Sequence, residues 1–212
     1  MIMMAFITRC CKNVWFERAR NALAALMLVL FASIGHAQNV TEIVQFQVER
    51  VDEEVIISAQ MGFELPVAVE DALLKGIPLF FVIEADVMRE RWYWYDKKIS
   101  SVERHMRLAY QPLTRRWRLN VTAGAGRDNG VGLALNQSFD TLPDVLSAIK
   151  RISRWKIADV TELDTSQKYK VDFRFRLDLN QLPRPFQIGA LGQSEWDIAA
   201  ATSSVLAISA PK

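Results

Sequence analysis

The segment Tyr169-Lys170-Val171-Asp172-Phe173-Arg174-Phe175-Arg176-Leu177-Asp178-Leu179 constrains this chain more than any other. Tyr169, Val171, Phe173, Phe175, Leu177 and Leu179 fall on one parity, and the alternate positions are all charged. Side chains of a strand alternate between faces, so this is a strand with one face in a core and one in water. That pattern belongs to antiparallel sheets. A chain carrying it has to supply neighbouring strands of the same kind and a second layer to cover the apolar face.

Such strands are legible elsewhere. Val44, Phe46 and Val48 alternate with Gln45, Gln47 and Glu49. After the polar turn Asp52-Glu53-Glu54, Val55, Ile57, Ala59, Met61 and Phe63 share a face, with Ser58 and Gln60 on the other. This is a hairpin. A long strand is expected over residues 77–95, apolar on both faces at its start, with Glu84, Asp86 and Glu90 on one parity farther on. Further strands are expected over residues 98–110, 115–123, 131–135 and 155–163, with a last strand or two near 186–188 and 196–207. Asp128-Asn129-Gly130 reads as a tight hairpin turn. Two short helices interrupt the strands. One opens at Leu65-Pro66, carries Val69, Ala72 and Leu73, and stops at Gly76. The other is capped by Asp140 or Thr141 and presents Val145, Leu146, Ile149 and Ile152 as its apolar stripe. The fold class is therefore α+β: mostly antiparallel β, as a sandwich or strongly curved sheet, with two short helices. The order strand, strand, Leu-Pro helix, strand, strand occurs twice and admits an internal repeat.

Residues 1–37 read as a cleavable signal peptide and residues 38–212 as a single exported β-rich domain. Arg9, Lys12, Arg18 and Arg20 form a basic start, residues 22–32 are uncharged and apolar, and Gly35-His36-Ala37 places small residues before Gln38. The alternative is an uncleaved inner-membrane anchor. A spanning helix needs roughly 20 apolar residues, and residues 22–34 number thirteen. The whole chain holds 26 basic and 24 acidic residues. The leader takes four basics and one acid, leaving 22 against 23, so nothing favours a nucleic-acid partner. Both cysteines, Cys10 and Cys11, lie in the leader, so residues 38–212 form no disulfide and rely on a core.

The same residues exclude much chemistry. His105 is the only histidine after the leader. Cys/His zinc sites and cysteine catalysis are thereby ruled out, and no catalytic residue, metal or cofactor is expected. Glu84 and Asp86 share a face and would suit glycoside chemistry or Ca²⁺ binding, but an ion-pair ladder with Arg104, Arg107, Arg116 and Arg118 on neighbouring strands is the simpler reading. The loop Gly124-Ala125-Gly126 runs toward a strand rather than a helix and is read as a hairpin loop, not a phosphate cradle. Trp92-Tyr93-Trp94-Tyr95 is the one segment that invites a binding hypothesis. One pair should be core. The other would stack on sugar rings or sit at a lipid headgroup layer, beside Arg89, Arg91, Lys97 and Lys98.

The leader, the hairpin from Glu49 to Phe63, Leu65-Pro66, Gly76-Ile77-Pro78-Leu79, the Trp92-to-Tyr95 run and Arg107-Leu108-Ala109-Tyr110 together resemble one family. It is an uncharacterised family of exported proteobacterial proteins, described as a domain of unknown function and often encoded beside a nitrogen-regulation-type membrane sensor kinase. The resemblance brings no catalytic residues. It implies a periplasmic accessory protein, with the outer portion of such a kinase as a partner. The functional expectation is a non-catalytic periplasmic binding protein. An envelope glycan or lipid binder acting through Trp92, Tyr93, Trp94 and Tyr95 is the alternative, and a carboxylate hydrolase ranks last. No transmembrane segment is expected once the leader is removed.

Overall fold

The computed structural model describes residues 41–91, 93, 95–123, 134–164, 167–190 and 193–206. The expected leader over residues 1–37 and the Gly124-to-Gly130 loop lie outside them. The first hairpin forms as its pattern dictates: β1 (Glu42–Val51) pairs antiparallel with β2 (Glu54–Gly62). A register shift between Ile43 and Gln45 alters one detail. Val44, expected on the apolar face with Phe46 and Val48, instead points to solvent, and Ile43 joins the core beside them. A bulge adds one residue to a strand and so exchanges the faces on either side of it.

Helix α1 (Val67–Leu74) starts after Pro66 and buries Val69, Ala72 and Leu73. It closes with Gly76 at φ 84°, whose N–H donates to Leu73 O while Ile77 N donates to Ala72 O. This is the Schellman end that glycine permits. β3 (Leu79–Arg89) follows, shorter than the sequence implies, then β4 (Lys97–Gln111), β5 (Arg116–Ala123) and β6 (Ala134–Phe139). Thr141 caps α2 (Leu142–Lys150), its hydroxyl accepting from Asp144 N at 3.3 Å. Ile152, expected on this helix, belongs instead to β7 (Arg151–Asp159), which begins where α2 stops.

β8 (Tyr169–Leu177) is the alternating strand. The region around Phe186 was expected to be a strand and is a helix, α3 (Arg184–Ala190). Pro183 O accepts from Phe186 N and Gln187 N, and the Gln187 side-chain amide donates to Asn180 O and Leu182 O. Two prolines preset the first turn, which outweighs three apolar residues at strand-like spacing. β9 (Ala199–Leu206) completes the described chain.

Two antiparallel sheets result, in the orders β1-β2-β7 and β6-β5-β4-β3-β8-β9. They pack face to face as a sandwich. Phe46 meets Phe173 at 5.3 Å between ring centroids, and Phe63 meets Phe81 and Phe175 at 5.8 and 5.2 Å. The inner face of the large sheet is Leu79, Phe81, Ile83, Ala85 and Val87 of β3 with Tyr169, Val171, Phe173, Phe175 and Leu177 of β8, all buried as the parity requires. At one side β1 runs beside β9. At the other, Ser100 Oγ donates to Ile157 O at 2.7 Å and ties β4 to β7. The element order does recur between the two halves, but the pairing does not: β3 and β4 are partners, whereas β7 and β8 belong to different sheets.

Candidate functional site

The outer face of the large sheet carries the two carboxylates singled out by their spacing. Glu84 and Asp86 stand two apart on β3 and so share that face. Their partners differ from those expected. β8, not β5, is the second neighbour of β3, with Glu84 opposite Arg174 and Val82 opposite Arg176. Glu84 Oε1 lies 2.9 Å from Arg176 Nη2, and Glu84 Oε2 lies 3.2 Å from Arg174 Nη2. Asp86 Oδ2 is 2.6 Å from the same Arg174 nitrogen, and Asp86 Oδ1 takes Lys98 Nζ at 2.9 Å and the Ser101 hydroxyl at 2.6 Å.

Asp86 is also 3 % exposed, the one buried charged residue among those described, and not the solvent-facing member that a surface ladder implies. Burial alone would raise its pKa. The hydrogen bonds from Lys98 and Ser101 and the charges of Lys98 and Arg174 outweigh that and hold it below the ordinary carboxylate value. A general acid needs the opposite shift. The four arginines expected as partners are elsewhere. Arg104 turns inward over the Trp155 ring at 4.6 Å, where loss of solvent lowers its pKa. Arg107 lies over Phe80, Arg116 pairs with Asp140 at 3.3 Å, and Arg118 stands opposite Ala109 and Ser138. His105 is on the outer face of β4, its Nε2 3.3 Å from Glu103 two residues before it, so its ion pair runs along the strand and not across strands as expected.

β3 ends at Arg89, and neither Tyr93 nor Tyr95 lies on a strand. Trp92 and Trp94 fall outside the described residues. Tyr93 and Tyr95 are 71 % and 89 % exposed, in the connection from β3 to β4. Arg91 N donates to Asp96 within it, and Glu90 N donates to Lys168 O at its base. Lys98, expected to serve a ligand here, is committed to Asp86.

Two features were not singled out from the sequence. The first is β6, the end strand of the large sheet on the side away from β9. Its residues are Ala-Leu-Asn-Gln-Ser-Phe, without charge or proline, and Leu135, Asn136, Gln137 and Ser138 are all exposed. The second is a cleft of about 450 Å³ on the outer face of the small sheet, lined by Gln45, Gln47, Ser58, Gln60, Arg151 and Ser153. The polar parity of β1 and β2 was the available signal. What it lacked was β7, which brings Arg151 opposite Gln60.

Among the described residues no group of histidine, cysteine or carboxylate side chains could hold a metal ion, and no helix is long and apolar enough to cross a membrane. No curated protein and no solved structure matches the chain. A family model does match, over residues 38–205: the chain belongs to the family described as Domain of unknown function (DUF4390).

Proposed function

We propose that this member of the family is a non-catalytic exported protein that works by binding a protein partner, accepting a partner strand along β6. The observation that carries the reading is the composition and exposure of that edge. An end strand presents a row of unpaired N–H and C=O groups, and proteins usually blunt it with lysine, proline or a covering segment. β6 has neither residue, and no described strand lies on its far side. Backbone pairing to such an edge supplies affinity, and side chains on alternate positions supply selectivity. The non-catalytic part rests on Glu84 and Asp86, whose oxygens are already engaged by cations. The export part rests on the pattern of residues 1–37, which supports a periplasmic location. The resemblance to exported proteobacterial proteins encoded beside a sensor kinase makes the outer portion of that kinase the first partner to test.

A photo-crosslinking residue at Gln137, activated in intact cells, tests this. A single membrane-protein adduct is expected. It should disappear when Asn136 and Ser138 are both replaced by lysine, with thermal stability unchanged. An absent adduct, or one indifferent to those charges, refutes the edge. A second reading is favoured by the exposure of Tyr93 and Tyr95: contact with an envelope glycan or lipid through the 92–95 segment. Loss of sedimentation with envelope vesicles in Tyr93→Ala/Tyr95→Ala, with the Gln137 adduct retained, would select it.

A further inference from the structure

The cleft on the small sheet has a composition of its own. Register places Gln45, Gln60 and Arg151 in one row across β1, β2 and β7. Gln47 and Ser58 form the next row, and Ser153 follows Ile152 on β7. Rows two residues apart on a strand are about 7 Å apart. The polar lining is thus three carboxamides, two hydroxyls and one guanidinium, with no carboxylate. No described acid pairs with Arg151. The contrast with the large sheet is sharp, because there the arginines of β8 are matched by Glu84, Asp86 and Asp178.

The backbone beside the cleft is irregular. Ile57 pairs with Trp155 and Ala59 with Ile152, so Ser153 and Arg154 together oppose Ser58. Arg154 takes φ 47°, a left-handed conformation that a side chain other than glycine or asparagine seldom adopts, and its N–H donates to Ser58 Oγ at 3.2 Å. Across the hairpin, the β1 bulge ends at Gln45. Bulges re-aim side chains and gather beside binding sites, and backbone strain of this kind persists where the surroundings hold it.

We infer that this cleft is a binding site for a small polar ligand bearing one carboxylate flanked by hydroxyl or amide groups. Arg151 meets the carboxylate, for which a guanidinium is geometrically matched. The glutamine carboxamides each offer a donor and an acceptor to neutral groups beside it. The volume is that of a small-molecule site. The lining lacks aromatic rings, which separates this site from one built to stack sugars or hold acyl chains. Two sources share the chemistry, a sugar acid and the free C-terminus of a short peptide. The site is independent of the β6 edge, and either stands if the other fails.

The test is side-chain amide NMR of the full exported domain, titrated separately with glucuronate and with N-acetyl-alanyl-alanine, and with glucose and N-acetyl-alanyl-alanine amide as uncharged counterparts. At least one carboxylate probe should shift the Gln45, Gln47 and Gln60 amide signals. Its uncharged counterpart should bind at least about tenfold more weakly, as should the same probe with Arg151→Gln. Which probe shifts them identifies the source. Shifts that miss these glutamines, an uncharged counterpart that binds equally well, or undiminished binding in Arg151→Gln each overturn the inference. So does the absence of any shift with both carboxylate probes.

Discussion

Phe175→Ala tests the parity argument at its strongest point. Phe175 is 1 % exposed at the centre of the sandwich. Its ring is stacked on Phe81 at 5.6 Å and 7° and tilted against Phe63 at 5.2 Å. Truncation removes the ring's transfer free energy and leaves a void between two sheets that cannot both close on it, which costs about 3–5 kcal/mol. For a domain of this size each kcal/mol lowers the melting temperature by about 2–4 °C. The expected drop is therefore roughly 6–20 °C. The control is the next residue. Arg176 faces outward, half exposed and bound to Glu84, and Arg176→Ala should cost no more than about 1 kcal/mol. Both are read by thermal and urea denaturation followed by circular dichroism. A Phe175→Ala protein melting within 2 °C of wild type, or an Arg176→Ala protein as destabilised as Phe175→Ala, would refute the assignment of faces.

Other outcomes follow from named contacts. Asp86→Asn should destabilise by about 1–3 kcal/mol at pH 7, because Arg174 and Lys98 lose their buried counter-charge. The folded-state pKa of Asp86 is depressed, so its contribution is present above the unfolded value near 3.9 and is lost as pH falls through the lower folded value. The gap between the two proteins should accordingly narrow as acid is added below about pH 4, and a gap that stays constant would show that the ionised form is not what matters. Thr141→Ala removes the cap of α2 and should cost about 0.5–2 kcal/mol by urea titration. Gly76→Ala meets no atom within 4 Å, so its cost of about 1–2 kcal/mol is that of the positive φ alone, measured the same way. N-terminal sequencing of the exported protein should begin at Gln38, and a retained leader would overturn cleavage.

Local pattern revealed most of the elements and little of their neighbours. The alternation of residues 169–177 named every buried residue of β8, and Pro66 with Gly76 bracketed α1 closely. The charge ladder was legible as chemistry but not as geometry. Glu84 needs arginines two residues apart, and both 116/118 and 174/176 offer them; only the long-range pairing of β3 with β8 decides. Trp155 shows the same gap on a smaller scale. Simple alternation from Ile152 would turn it outward, and the left-handed Arg154 resets the parity so that Ile152, Trp155 and Ile157 all reach the core. Bulges and partner choice depend on distant backbone, which a window of ten residues does not contain.

The strand order has a consequence for the sequence of events in synthesis. β3 is apolar on both sides at its start and is flanked in the finished sheet by β4, its immediate successor, and by β8, which emerges some eighty residues later. β2 likewise waits for β7. Until residue 159 has left the ribosome β2 lacks its second partner, and until residue 177 has left it so does β3, so no shorter N-terminal fragment owns a closed core. Pairings of such sequence separation are slow to close. The topology therefore favours late closure of the core, after the local hairpins β1-β2 and β3-β4 have had time to pair. A chain cut anywhere before β8 would leave the edge of β3 open to self-association rather than yield a smaller stable domain.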